Sequence, residues 1–164
     1  WLCEHAAPGA TIDLRIRANP NFHPPAPQRP LVLVGNGTGI AGLRAHVSAR
    51  VQAGARRNWL LFGERNRDRD FHYRGDIERW QSEGFLERVD LAFSRDGGDR
   101  RYVQYALRDA ADTLHAWVDD GAAIFVCGSL QGMAPGVDAV LRETLGDAQV
   151  ERLLLEGRYR RDVY

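Results

Sequence analysis

Apolar positions in this chain alternate between two rhythms. Short continuous runs fall at residues 31–35 (LVLVG), 58–63 (NWLLFG), 88–94 (RVDLAFS) and 122–128 (AAIFVCG). Each has strand length and few polar interruptions, the signature of a strand buried on both faces. Between them the spacing becomes helical. Ile40, Leu43, Val47 and Val51 keep it up to Gly54, residues 74–82 read as a short helix closed by Gly84, and Val103, Leu107, Ala110, Leu114 and Trp117 mark one long helix. Met133, Val137, Val140 and Leu141 mark a helix ending near Gly146, a short helix covers 147–155, and GRYRRDVY (157–164) reads as a final strand. Strands alternating with amphipathic helices predict an α/β fold with a doubly wound, parallel, five-stranded sheet. In such sheets ligands bind beyond the carboxyl ends of the strands, near the point where strand order reverses.

The amino-terminal part differs. In ATIDLRIR (10–17), Ile12, Leu14 and Ile16 alternate with Asp13, Arg15 and Arg17, which predicts a short strand. The following ANPNFHPPAPQRP places five prolines in thirteen residues. Proline sustains neither a helix nor a central strand, so this is read as an extended connector with a domain boundary near residue 28.

Composition narrows the partners. At 164 residues the chain holds one full domain and a fragment of another. A formal net charge of zero gives no broad basic field for nucleic acid or an anionic membrane. No apolar run approaches the ~18–20 residues of a membrane span, and no leader peptide is evident. The first residue is Trp, so the chain reads as a piece of something longer. All 22 basic residues are arginine, and a bias that complete weakens any single arginine as a sign of phosphate binding. Cys3 and Cys127 form no metal or CxxC pattern, which fits a reducing compartment, and the histidines at 5, 23, 46, 72 and 115 lack ligand spacing, so no metal site is expected.

Three turns at the same sheet edge carry candidate chemistry. GNGTGIAG (35–42) packs four glycines into eight positions where a strand passes into a helix. Glycine there lets an anion approach the backbone, and the free amides of a helix start favour it. A strand-to-helix turn built only for close packing reads the same way. AFSRDGGDRRYVQ (92–104) offers Ser94, Arg95, Arg100 and Tyr102: a hydroxyl, two forked cations suited to a phosphate, and a ring able to stack on a purine. The alternative is a solvated arginine-rich loop with Tyr102 in the core. FVCGSLQGMA (125–134) sets Cys127 before a glycine turn, where a buried cysteine also serves as a small core hydrophobe. Asp162 and the terminal Tyr164 are equally ambiguous by themselves.

Together, GNGTGIAG, LFGERNRDRDFHYRGDI, AFSRD with RYVQ, VCGSLQGMA and GRYRRDVY resemble the pyridine-nucleotide half of the ferredoxin–NADP reductase family, in its diflavin branch. They span residues 31–164 in the family's order. The resemblance implies a Rossmann-like NADP-binding domain over 29–164, preceded over 1–28 by the tail of an FAD-binding β-barrel and its connector. It implies hydride transfer from NADP(H) to FAD, held mostly by residues outside this chain, and it allows FMN in the parent protein. By the same resemblance Gly37, Thr38 and Gly39 form the pyrophosphate loop, Ser94, Arg95, Arg100 and Tyr102 hold the 2′-phosphate and adenine, and Gln104 touches the adenosine side. Cys127 lies beside the nicotinamide, Asp162 helps orient it and handle the proton, and Tyr164 covers the flavin. The implied partners are the FAD-binding domain of the same parent chain and a downstream electron acceptor, with a cytoplasmic location. Asn36 stands where many relatives have proline, which is expected to loosen the turn, and Arg100 where they usually have lysine. The Arg-x-Tyr-Ser flavin motif of the barrel does not occur in the chain. Two rival readings are a non-catalytic nucleotide-sensing module and a ligand-free interaction domain.

Overall fold

The computed structural model describes residues 4–16, 19–97 and 100–164. Five strands, β1 (Leu31–Asn36), β2 (Asn58–Glu64), β3 (Arg88–Phe93), β4 (Ala123–Gly128) and β5 (Tyr159–Val163), form one sheet in the order β3-β2-β1-β4-β5. Every neighbouring pair is parallel. Seven helices connect them: α1 (Ile40–Gln52), α2 (Arg67–Asp70), α3 (Arg74–Ser82), α4 (Val103–Asp109), α5 (Ala111–Asp119), α6 (Met133–Leu145) and α7 (Asp147–Leu155).

The apolar runs divide by parity, as a strand's two-residue repeat requires. Val32, Val34, Trp59, Leu61, Ile124 and Val126 face one layer, built from α4, α5, α6 and α7. Leu31, Leu33, Leu60, Phe62, Phe125 and Cys127 face the other, built from α1 and α3. From β1 the chain steps outward to β2 and β3, then crosses back to lay β4 on the opposite flank of β1. The reversal leaves a crevice between the carboxyl ends of β1 and β4. No helix among the described residues is long and apolar enough to cross a membrane.

Three expectations need correction. The long helix over 103–117 is two helices broken at buried Ala110, whose φ of −101° and ψ of 24° leave the helical region. Both halves press the same sheet face, with Val103, Leu107, Leu114 and Trp117 in one cluster, so the apolar rhythm runs through the break and cannot report it.

The strand expected over 10–17 is absent from residues 10–16, and Arg17 and Cys3 lie outside the described residues. Leu14 and Ile16 are 79% and 93% exposed. A strand needs a neighbour to complete its ladder, and none of the described residues pairs with this segment.

The connector is not uniformly extended. A 3₁₀ turn at Pro20–Phe22 drives the Phe22 ring against His46 and Phe125, with centroids 4.9 and 5.1 Å away. Buried Arg50 then fastens the next stretch, donating to the Arg29 carbonyl at 2.8 Å, the Pro27 carbonyl at 3.3 Å and the carboxamide oxygen of buried Asn58.

Candidate functional site

Beyond β1 the chain makes a 3₁₀ turn, Gly37–Gly39, and enters α1 at Ile40. The glycines of this stretch serve different ends. A methyl group on Gly39 would overlap the Cys127 carbonyl, and one on Gly35 would strike the same oxygen, so these two let the β1 turn lie against β4. Gly37 instead takes a φ of +56°, a conformation costly for residues with a Cβ.

A cleft of about 1080 Å³ opens at the crevice. Gly37 and Thr38 form one wall, Ser94 and Arg95 a second, and Arg100, Tyr102 and Gln104 a third at the entry to α4. Gly39 does not line it, being buried against β4. The ladder between β2 and β3 sets the second wall: the Ser94 and Arg95 amides each donate at 2.8 Å, to the Glu64 and Arg65 carbonyls. Tyr102 is no core residue. It is 40% exposed, its ring edge-on to Tyr105 at 5.8 Å. Gln104 lies against Gly136 of α6, where a Cβ would come within 3.2 Å of its carboxamide.

The structure adds Arg65 at the end of β2, which the arginine bias concealed. Its position one residue past a strand's carboxyl end was the available signal. Ser129 and Gln131, after β4, also line the cleft. Helix α2 was likewise unforeseen. It is a single polar turn, held because Asp70 and Asp96 accept the amides of Asn66 and Arg67 at 2.9 and 2.8 Å.

The arginines around this cleft differ from many on the rest of the surface. Elsewhere arginines are mostly engaged: Arg44, Arg74, Arg88, Arg108 and Arg142 each sit on a carboxylate. Among the described residues, the guanidiniums of Arg65, Arg95 and Arg100 have none. The cleft's own carboxylates are occupied, Glu64 by the Arg65 amide at 2.7 Å and Asp70 by that of Asn66. Three forked cations without a carboxylate partner among the described residues, set around a glycine turn, suit a multiply charged anion.

The remaining predicted residues gather beside this cleft, at the ends of β4 and β5. Cys127 stands opposite Asp162 in the strand register. The thiol is 2% exposed, and Gly42 leaves it room, since a Cβ there would lie 3.2 Å from Sγ. Burial, reinforced by the Asp162 charge, pushes the thiol up to about 11, so it stays protonated at neutral pH. Tyr164 does not dangle. Its amide donates to the Gly128 carbonyl at 3.1 Å, its carbonyl accepts the Leu130 amide at 3.0 Å, and its phenol oxygen is 2.9 Å from the Thr38 hydroxyl. On the other side of Phe125, His46 is held neutral, its pKa lowered to about 4 by burial first and then by His23 and Arg50, with Asp162 opposing.

The comparisons with known proteins agree with this architecture. Residues 33–139 match the model of the oxidoreductase NAD-binding domain family. The chain is 39% identical over 176 aligned residues, its whole length, to the sulfite reductase [NADPH] flavoprotein alpha-component of Salmonella typhi, of which it covers 29%. It is 42% identical to that of Salmonella paratyphi A over 91% of this chain and 27% of the relative, and 39% identical to that of Yersinia enterocolitica over its whole length and 29% of the relative. It thus spans less than a third of these relatives. The expected kinship with the nucleotide half of ferredoxin–NADP reductase-like proteins holds, and the chain belongs to the oxidoreductase NAD-binding domain family.

Proposed function

We propose that this chain is the NADPH-binding module of a flavoprotein oxidoreductase that passes a hydride from NADPH to FAD and electrons on to FMN, haem or another acceptor. The observation that carries the reading is the convergence of Arg65, Arg95 and Arg100, without carboxylate partners among the described residues, on a cleft floored by the Gly37–Thr38 turn. NADP(H) presents two anionic stations, a 2′-phosphate and a diphosphate. Ser94, Arg95 and Arg100 suit the first, with Tyr102 against the adenine and Gln104 on the adenosine side. The turn at Gly37, Thr38 and Gly39 suits the second through its amides and the Thr38 hydroxyl. A cleft of about 1080 Å³ has room for the adenosine half and the bridge.

When bound, NADPH supplies the hydride and FAD receives it. The protein's part is placement. Cys127, kept as a neutral thiol, adds no charge where the nicotinamide would lie, and Asp162, its register partner, would help orient the ring and handle the proton. Tyr164 would cover the flavin face and would have to move before the nicotinamide could reach it. Residues 1–28 are the tail of the FAD-binding domain and its connector, 29–164 the nucleotide domain. That FAD-binding domain and a downstream acceptor are the partners this reading requires, in the cytoplasm.

Calorimetric titration with NADP⁺ and NAD⁺ tests the reading. NADP⁺ is expected to bind more tightly by roughly one to two orders of magnitude, the worth of one extra charged phosphate contact. Equal affinities would remove the 2′-phosphate assignment, and the reading with it.

A further inference from the structure

Asn36 is the last residue of β1, and its side chain is not idle. Its carboxamide oxygen accepts the Ser129 backbone amide at 3.0 Å, tying the β1 turn to the β4 turn across the crevice. The same oxygen packs on Gly128, where a Cβ would overlap it. The side chain latches the turn to its neighbour.

The latch fixes which way the carboxamide points. A backbone N–H only donates, so the group facing Ser129 must be the oxygen, and the NH₂ is directed away from it. Among the described residues that NH₂ donates to nothing, yet no buried side-chain nitrogen or oxygen there lacks a partner. The NH₂ is therefore open to solvent, and Asn36 lines the cleft beside Gly37 and Thr38.

We infer that Asn36 is a ligand-binding residue: with its oxygen latched to Ser129, its carboxamide NH₂ is aimed as a donor to the diphosphate bridge of the nucleotide. The inference rests on the nucleotide reading above. Asn36 thereby adds a side-chain contact to the diphosphate station beside Gly37 and Thr38. The contact discriminates between ligands that carry a diphosphate and ligands that carry only the ribose phosphate.

The test uses two probes, NADP⁺ and adenosine 2′-monophosphate, which keeps the adenine and 2′-phosphate but lacks the bridge. Asn36→Asp preserves the acceptor for Ser129 and replaces the donor with an anionic oxygen. It is expected to weaken NADP⁺ by roughly tenfold or more while leaving the monophosphate within about twofold. Asn36→Ala removes the donor and the Ser129 latch together without adding charge, and is expected to show the same split at roughly three- to tenfold. Asn36→Asp, which keeps the latch, is the arm that separates a lost bond from a loosened turn. Equal losses for both probes would make Asn36 a strut only. A split with Asp but none with Ala would show proximity without a bond; either result overturns the inference while leaving the nucleotide reading intact. An unaltered chain that binds neither probe overturns both.

Discussion

The phenol oxygen of Tyr164 lies 2.9 Å from the hydroxyl of Thr38, joining the chain's last residue to the first turn of its sheet. Both groups are exposed to water, so the bond itself contributes little stability. Its consequence is occupancy, because Thr38 cannot serve a phosphate fully while it serves a phenol. Tyr164→Phe keeps the ring and frees Thr38, and it is expected to raise NADP⁺ affinity by roughly two- to tenfold in titration, the worth of one hydrogen bond. Unchanged or weaker binding would mean that the phenol does not compete with the ligand.

Arg95 offers a sharper test of selectivity. Its amide is fixed by the ladder to β2, while its guanidinium has no carboxylate among the described residues. Arg95→Ala is expected to cost about 1.5–3 kcal/mol of NADP⁺ binding, as for a hydrogen bond to a charged group, and little NAD⁺ binding. Comparable losses for both nucleotides would place Arg95 at the diphosphate instead.

The parallel sheet was legible because its inner strands β1, β2 and β4 are buried on both faces and its helices are not, so two periodicities alternate along the chain. Where a pattern depends on what lies outside it, legibility ended. Ile12, Leu14 and Ile16 alternate as a strand should, but alternation states a capacity to pair and cannot supply the partner. The break at Ala110 was invisible because α4 and α5 press one face. At the site, glycine spacing announced a turn but not the division of labour within it, with Gly39 set by the Cys127 carbonyl and Gly37 by its left-handed backbone. Arg65 was hidden among 22 arginines, since only three dimensions show which of them lack a carboxylate.

Arg50 shows how far from the cleft that arginine bias serves structure. It is 2% exposed and holds Asn58 together with the carbonyls of Pro27 and Arg29, so it fastens the connector to the sheet's amino edge. Arg50→Ala strands the buried Asn58 oxygen and leaves the half-buried Arg29 carbonyl without its donor. The expected loss is about 3–5 kcal/mol in urea unfolding, the sum of a cavity and several unmade bonds. A loss below about 1 kcal/mol would mean that water replaces the guanidinium without penalty.

His46 makes stability depend on mild acid. Its folded pKa is lowered to about 4 from 6.5, by burial first and by His23 and Arg50 next, with the Asp162 carboxylate pulling the other way. Arg44, on the same helix, is paired with Asp76 at 2.6 Å, which offsets the repulsion its own positive charge would add to a protonated ring. Between pH 4 and 6.5 the unfolded chain binds a proton at this site that the folded chain refuses, so stability rises with pH across that window. Acidification from neutrality to pH 4.5 should therefore remove on the order of 2–3 kcal/mol through this residue alone. Other groups also titrate there, so the informative quantity is a difference between proteins. His46→Phe keeps an aromatic between Phe22 and Phe125, and its urea midpoint should fall less than that of the unaltered chain between pH 7 and 4.5. Parallel pH profiles for the two would show that the imidazole takes up its proton as readily inside the fold as in water.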